Sequence, residues 1–422
     1  MGMRRVLITG ASGFTGRHAC ERFAASGWEV VAVASGRSSG GTPPGAEPAS
    51  GGGAASASAA AAGAGAAYPP PPGEAGAAFP PPAGGAGAAY PSPAAGAGTA
   101  HPPPPGEAGA AFPPPAGGAG AAFPPPAAWA GTAHPPPPPG EAVAAFPPPA
   151  PAGSVHWRRC DLTDRQQVRR LCLETEPDAL LHLAGQNAVD RSWQDPALTL
   201  AVNAMATVHL LEALREAGGE RRALVIGSML AHMAGGEAHP YAFSKKLQVS
   251  AALAWHRWFG LQVLVAEPSN LVGPGRSAGL CGKIARWTAE AERAEGRFSP
   301  AGVRPFRLSS LQERRDYLDV RDAVRAYETL LRAGEAGRCY ALGSGRMRSI
   351  AEIKERFERL AAVRLAWEIG SGEPPPSPEP RDLSAIHALG WEARIPFERS
   401  LADALAEERA AVRGGRKEEA GA

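Results

Sequence analysis

Tyr241 and Lys245, in the segment Pro240-Tyr241-Ala242-Phe243-Ser244-Lys245, are the residues whose types and spacing point most directly to chemistry. Four positions apart on a helix, they share one face. An ammonium beside a phenol favours phenolate and is expected to lower the tyrosine pKa from about 10. Tyr241 so placed can give a proton to an oxygen that gains negative charge as a carbonyl is reduced. Tyrosine and lysine at this spacing also occur on helices that do no chemistry. Their meaning therefore depends on a distant segment, Thr9-Gly10-Ala11-Ser12-Gly13-Phe14-Thr15-Gly16.

Arg5 to Thr9 is a short, mostly apolar run suited to a buried parallel strand. Gly10, Gly13 and Gly16 follow with GxxGxxG spacing, then a helical pattern with Cys20, Phe23 and Ala24 on one side. Gly27-Trp28 ends the helix, and Glu29 to Ala34 reads as a second strand. Strand, glycine turn, helix, strand is the unit that binds a dinucleotide. The glycines let the backbone approach the pyrophosphate, which sits on the helix N-terminus. The cofactor contacts are thus assigned to Gly10, Ser12, Gly13, Phe14, Thr15 and Gly16. A carboxylate at the end of the second strand would hold the ribose 2′-hydroxyl of NAD. Ala34 and Ser35 stand there instead, with Arg37 just beyond. An arginine pairs well with a 2′-phosphate, so NADP is the expected cofactor and NAD the alternative.

These residues need a scaffold, and the alternation of strands and helices resumes after residue 153. Strands are expected at His156–Cys160, Ala179–Ala184, Ala223–Ile226 and Gln262–Glu267. Between them fall a helix capped by Thr163 or Asp164, one helix from about Pro196 to Ala217 carrying Asn203, and the helix of Tyr241. The order predicts an α/β Rossmann fold, a doubly wound parallel sheet whose ligands bind at the carboxyl ends of the strands. Gly10, Asp161, Ala184, Ser228 and Pro268 all fall at such ends.

Residues 38–153 are almost entirely Ala, Gly and Pro. An aromatic or histidine followed by proline recurs every 11 residues from Tyr68 to His134, and Glu74, Glu107 and Glu141 mark a longer period. The unit has no aliphatic side chain larger than alanine except Val143 with which to build a core, so it reads as a disordered or semi-extended insert. The expected organisation is a Rossmann domain over 1–37 and 154–270, a mainly substrate-binding lobe over 271–410, and a frayed tail over 411–422. The 422-residue chain without its insert leaves about 300 residues, one large domain or a domain with a small lobe.

A net charge of +2 gives no case for nucleic acid or a membrane surface. No 18-residue apolar run or leader stands out in this reading. Cys20, Cys160, Cys172, Cys281 and Cys339 lack metal-like spacing, and an odd, scattered set suits a reducing cytoplasm. No metal is expected.

Three further stretches carry a resemblance: His182-Leu183-Ala184-Gly185-Gln186 through Ser192-Trp193-Gln194-Asp195-Pro196, Pro268-Ser269-Asn270-Leu271-Val272-Gly273-Pro274-Gly275, and Arg315-Asp316-Tyr317-Leu318-Asp319-Val320-Arg321-Asp322-Ala323. With them the chain resembles the extended short-chain dehydrogenases/reductases, the NAD(P)-dependent sugar epimerase/dehydratase family. Within that family it is most similar to the GDP-4-dehydro-6-deoxy-D-mannose reductases. The match spans about residues 3–36 and 154–410.

The resemblance implies reduction of a 4-keto-6-deoxy nucleotide sugar, with Tyr241, Lys245, Ser228 and Asn203 at the catalytic centre. Asp161 and Leu162 would meet the adenine. Leu183, Ala184, Gly185 and Pro268 would meet the rest of the cofactor. Gln186, Asn270, Arg276, Lys283 and Arg315 would face the substrate, with Arg315 on its diphosphate. Trp255 and Trp258 read as core residues or the face of a homodimer rather than substrate contacts, and His232 and His239 as solvated loop residues rather than proton relays.

Three departures stand out. The family's carbonyl-binding serine or threonine would fall at Met229, and a thioether cannot donate a hydrogen bond. Ser228 takes that role only if the loop is shifted by one residue. The 12 residues between Ser228 and Tyr241 make a short loop, and Gly372-Glu373-Pro374-Pro375-Pro376 stands where a nucleotide-binding arginine is common. An epimerase or dehydratase retaining NAD, and a catalytically impaired NADP-binding protein, remain as alternatives.

The insert's composition yields a direct expectation. Replacing residues 40–152 with a short Gly-Ser linker should leave cofactor affinity and melting temperature nearly unchanged, because alanine, glycine and proline bury too little apolar surface to offset ordering. Thermal melts of the shortened chain decide it, and a drop of many degrees would show that the repeat packs on the domain.

Overall fold

Val6-Leu7-Ile8 and Val30 to Val33 are apolar at every position because helices cover both faces of the strands they form. The computed structural model describes residues 4–35, 153–229, 239–295, 304–371 and 377–419. The insert, Arg37, His232 and the segment 372–376 lie outside them.

In chain order the first part comprises β1 (Arg5–Thr9), α1 (Phe14–Ala25), β2 (Glu29–Ser35), β3 (Val155–Cys160), α2 (Arg165–Thr175), β4 (Ala179–His182), α3 (Val189–Gln194), α4 (Pro196–Leu200), a π-helical turn (Ala201–Met205), α5 (Ala206–Ala217), β5 (Arg222–Ile226), α6 (Pro240–Phe259) and β6 (Gln262–Pro268). The rest comprises β7 (Asn270–Val272), α7 (Leu280–Glu295), β8 (Phe306–Leu308), β9 (Arg314–Asp319), α8 (Val320–Ala333), β10 (Cys339–Leu342), β11 (Met347–Ser349), α9 (Ile350–Leu360), β12 (Trp367–Ile369), α10 (Ser384–His387) and α11 (Phe397–Glu419).

Seven strands form one sheet in the order β10-β6-β5-β4-β1-β2-β3, all neighbours parallel. This is the expected doubly wound Rossmann sheet. The strand order reverses between β1 and β4, which opens a crevice at their carboxyl ends. Val6 and Ile8 pack with Phe23 of α1 and Tyr327 of α8 on one face. Leu7 and Val31 pack with Val168 of α2 and with Leu210 and Leu214 of α5 on the other. After β7 the chain contributes β8 and β9 to small sheets, returns to the main sheet at β10, and then completes the small sheets β11-β9-β7 and β12-β8 over a separate apolar cluster around Tyr317, Phe357 and Leu401.

One expectation is corrected. The helix over Pro196–Ala217 is present as expected, with a π-helical turn inside it that carries Asn203. That same stretch contains an 18-residue window of mean hydropathy 1.5, so an apolar run of membrane-spanning length does exist. Half of the window is buried, and its leucines pack between α2 and the sheet, which makes it a core helix here.

Candidate active site

The turn from β1 to α1 is pressed against the loop that follows β4. Gly10 has φ +69°, and a Cβ there would lie 2.7 Å from the Ala184 nitrogen. A Cβ on Gly16 would lie 2.1 Å from the Gly10 carbonyl oxygen, so only hydrogen fits at either position. Gly13 is the N-cap of α1 and supplies no side-chain cap. The N–H groups of the first turn therefore point into the crevice with no side-chain cap to satisfy them, as an anion-binding helix end requires. These glycines form a cradle into which a pyrophosphate fits.

The crevice is a cavity of ≈ 850 Å³. Gly10, Ser12, Gly13, Phe14, Thr15 and Gly16 line it, as do Asp161, Leu162, Leu183, Ala184, Gly185 and Pro268. So do Ser228, Tyr241, Lys245, Gln186, Asn270, Arg276 and Arg315. Two expected residues do not. Lys283 is an exposed side chain of α7 away from the lining. Asn203 is fully buried behind the wall: its Nδ2 donates to the Gln186 carbonyl (2.9 Å) and to Ser244 Oγ (2.8 Å), and its Oδ1 accepts from the Gln186 nitrogen (2.8 Å). It therefore clamps the loop after β4 to α6 and supports the Tyr241 helix indirectly.

Tyr241 and Lys245 both point inward from α6, and both are buried. The Tyr241 phenol and the Ser228 side chain line the same cavity. Burial raises the Tyr241 pKa, and the Ser228 contact opposes it. The lowering expected from Lys245 is thus overturned: burial sets the direction, and the group that opposes it is Ser228, not Lys245. Met229 also lines the cavity.

His239 is not a solvated loop residue. It caps α6, with Nδ1 accepting from the Ala242 nitrogen at 3.0 Å, and its ring stacks on Tyr241 at 5.9 Å between centroids. Trp258 lies in the last turn of α6 and is 66% exposed, while Trp255 packs on the core and donates to Glu212.

Behind the site His182 is fully enclosed between two threonines, with Nδ1 2.7 Å from Thr9 Oγ1 and Nε2 2.9 Å from Thr207 Oγ1. Thr207 donates its hydroxyl proton to the Asn203 carbonyl, so it accepts from His182 Nε2–H. Nδ1 then accepts from Thr9, whose oxygen also accepts from the Ala184 nitrogen at 3.3 Å. His182 is consequently neutral, and burial, aided by the Lys245 charge, pushes its pKa down to about 3.

Sequence reasoning missed Arg191, Thr163 and Asp316, all of which line the cavity. Arg191 is exposed on α3 and gave no spacing signal. Asp316 is fixed by Ser269 Oγ, the Ser344 nitrogen and hydroxyl, and the Gly345 nitrogen. Arg315, its neighbour, pairs with Glu313 (Nε to Oε1, 2.7 Å), so an incoming anion competes with that carboxylate.

The sequence profile of the NAD dependent epimerase/dehydratase family matches residues 6–47 and 139–343. A GDP-6-deoxy-D-mannose reductase from Pseudomonas aeruginosa is 34% identical over 275 residues, which is 60% of this chain and 88% of that protein. The solved structure of RMD from Pseudomonas aeruginosa complexed with NADPH aligns at a TM-score of 0.53 and 30% identity, covering 60% of this chain and 91% of the other. UDP-glucose 4-epimerase from Thermus thermophilus, solved with NAD, shares the fold at a TM-score of 0.60 and 19% identity, covering 96% of this chain and 99% of its own.

The buried neutral His182 makes a pH prediction. Its folded pKa lies below the unfolded value of about 6.5, so the unfolded chain binds the extra proton. The stability associated with neutral His182 is fully present above about pH 6.5 and is lost as pH falls towards about 3. Thermal melts between these limits should show the loss, and a His182→Gln variant should show a shallower dependence. Equal slopes in both proteins would contradict the assignment.

Proposed function

Since the chain belongs to the NAD dependent epimerase/dehydratase family, we propose that it is an NADPH-dependent reductase of a 4-keto-6-deoxy nucleotide sugar. The observation that carries this reading is that Ser228, Tyr241 and Lys245 line one cavity with the glycine cradle. The identity to a GDP-6-deoxy-D-mannose reductase supports the substrate class. The end of β2 supports NADPH, because Ala34 and Ser35 present no carboxylate to repel a 2′-phosphate.

NADPH, when bound, supplies hydride to the sugar carbonyl carbon. Ser228 donates a hydrogen bond to the carbonyl oxygen and holds it beside the phenol. Tyr241 protonates the developing alkoxide, so ketone, hydride and proton give the alcohol, and the phenolate regains a proton from solvent. The raised pKa of Tyr241 keeps it protonated before the reaction, as an acid must be. Lys245 stabilises the phenolate that results and binds the nicotinamide ribose. Arg276 and Arg315, from the mainly substrate-binding part of the chain, take the nucleotide-sugar side: Arg276 lines the cavity and Arg315 exchanges Glu313 for a substrate phosphate. Met229 is a spectator in this reading, which gives the donor role to Ser228.

Mass spectrometry of products from a panel of nucleotide sugars incubated with NADPH tests the reading. A keto-sugar reduced by two hydrogens supports it. Product isomers formed without NADPH consumption would replace it with an epimerase. Fluorescence titration should show tighter binding of NADPH than of NADH, and the reverse order would sink the cofactor assignment. Tyr241→Phe should abolish turnover and leave NADPH binding intact. Ser228→Ala should lower kcat by about 100- to 1000-fold, the cost of one lost oxyanion donor. Met229→Ser should change kcat little, and a gain of about tenfold or more would place the donor at 229 instead.

A further inference from the structure

Gln248 lies one turn beyond Lys245 on α6 and is fully buried. Its Oε1 accepts from Lys245 Nζ at 2.8 Å, and its Nε2 donates to Thr207 Oγ1 at 2.9 Å. The amide has only one workable orientation. Thr207 spends its own proton on the Asn203 carbonyl, so its oxygen is an acceptor for Gln248. A reversed amide would turn its NH2 towards the ammonium, donor against donor. A chain of neutral groups thus runs from Lys245 through Gln248, Thr207 and His182 to Thr9, whose hydroxyl holds the Ala184 nitrogen at the cofactor cradle.

Lys245 has three N–H bonds. One goes to the Ile226 carbonyl at 3.0 Å and one to Gln248, which leaves the third for the cavity that Lys245 lines. The described groups around it are Tyr241 and Gln248 from α6, His182 from β4, Ser228 after β5 and Asn203 from the π-helical turn, while β6 brings a buried carboxylate, Glu267, beside Gly227, where it is paired with Arg381 at 2.8 Å. A Cβ on Gly185 would lie 3.5 Å from Nζ, so the loop after β4 closes the last side. Among the described residues Nζ itself has no carboxylate partner: Glu267 is taken by Arg381, and the acceptors of Nζ are a carbonyl and an amide.

We propose that Gln248 is a positioning residue, whose locked amide aims Lys245 at the cofactor ribose and, in place of a counter-ion, governs the charge of its ammonium. The proposal rests on the reading of Lys245 as a cofactor-binding ammonium. Burial pushes the Lys245 pKa down to about 8, so a neutral partner leaves the group close to losing its proton in mildly alkaline solution. A carboxylate at the same reach would hold the proton. Loss of the acceptor would release it earlier.

The test compares wild type with Gln248→Glu, a near-isosteric change to an anion, and Gln248→Met, which fills the space without an acceptor. NMR of isotopically labelled lysine side chains reads the Lys245 titration in the cofactor-free protein, and fluorescence reads NADPH affinity across the same pH range. The wild-type midpoint should lie near 8. It should rise by about one to three pH units in Gln248→Glu and fall in Gln248→Met. The alkaline limb of NADPH affinity should move with it. A midpoint and limb that stay at the wild-type pH in Gln248→Glu would overturn the proposal while the enzyme still binds NADPH. Midpoints that move as stated in a wild type that binds no NADPH would uphold Gln248's control of the charge and sink the functional reading. Should Gln248→Met fail to fold, the near-isosteric Gln248→Glu decides alone.

Discussion

An ammonium taken out of water must find acceptors for its N–H bonds or give up its proton. Lys245 is buried at the carboxyl edge of the main sheet, and the surrounding fold is arranged around that demand. β5 ends at Ile226, so the Ile226 carbonyl is free to receive one N–H. α6 runs unbroken from Pro240 to Phe259, so Gln248 stands one turn above to receive another. Satisfying Gln248 then requires Thr207, and Thr207 requires both His182 and the Asn203 carbonyl. Hydrogen bonds to charged groups contribute about 1.5–3 kcal/mol each, and a buried partner left unpaired costs a comparable amount. A neutral histidine is the form this surrounding selects, because a second positive charge beside Lys245 would add repulsion to desolvation.

The same edge meets a second, purely steric demand. The cradle works only if the first turn of α1, the end of β1 and the loop after β4 approach to within backbone contact. Gly10 and Gly16 permit this by lacking a Cβ. The two demands share atoms. Thr9 is the last residue of β1, and its hydroxyl both holds the Ala184 nitrogen beside Gly10 and gives its proton to His182. Cradle and ammonium are therefore parts of one hydrogen-bonded assembly.

Much of this was legible in the sequence. Apolar runs gave β1, β2, β4, β5 and β6 to within about two residues, because strands covered on both faces have few polar positions, whereas the edge strand β10 was not expected. The glycine turn and the Tyr241–Lys245 pair were legible because each is a local spacing. Strand ends were less so. β4 stops at His182 because the Ala184 nitrogen turns to the Thr9 side chain and leaves the ladder, a contact between residues 175 apart. Gln248, Thr207 and His182 look like ordinary polar residues until the fold joins them. The tyrosine pKa moves opposite to the expectation because spacing reveals a neighbouring charge but not the depth at which both groups lie. Lys283 failed for the opposite reason: a cation near a motif in sequence need not face the same cavity.

The junction between the main sheet and the smaller sheets is tied by carboxylates of β9 and α8. Asp316 gathers Ser269, Ser344 and Gly345. Asp319 takes Ser400 Oγ and Arg321, and Asp322 takes the Arg394 and Ile395 nitrogens with Arg325. Each carboxylate thus joins the β9–α8 run to a segment distant in sequence: the end of β6, the loop after β10, α11, or the stretch before it. Buried carboxylates are costly to desolvate, and they hold only where such donors surround them. Their consequence is positional. Arg315 stands between Glu313 and Asp316 on a strand whose Asp316 is fixed to the loop after β10, so its guanidinium is delivered to the cavity wall without depending on the substrate. The glycine cradle and Arg315 line the same cavity, and under the proposed function they would anchor the phosphates of cofactor and sugar nucleotide so that the reacting carbons meet beside Tyr241.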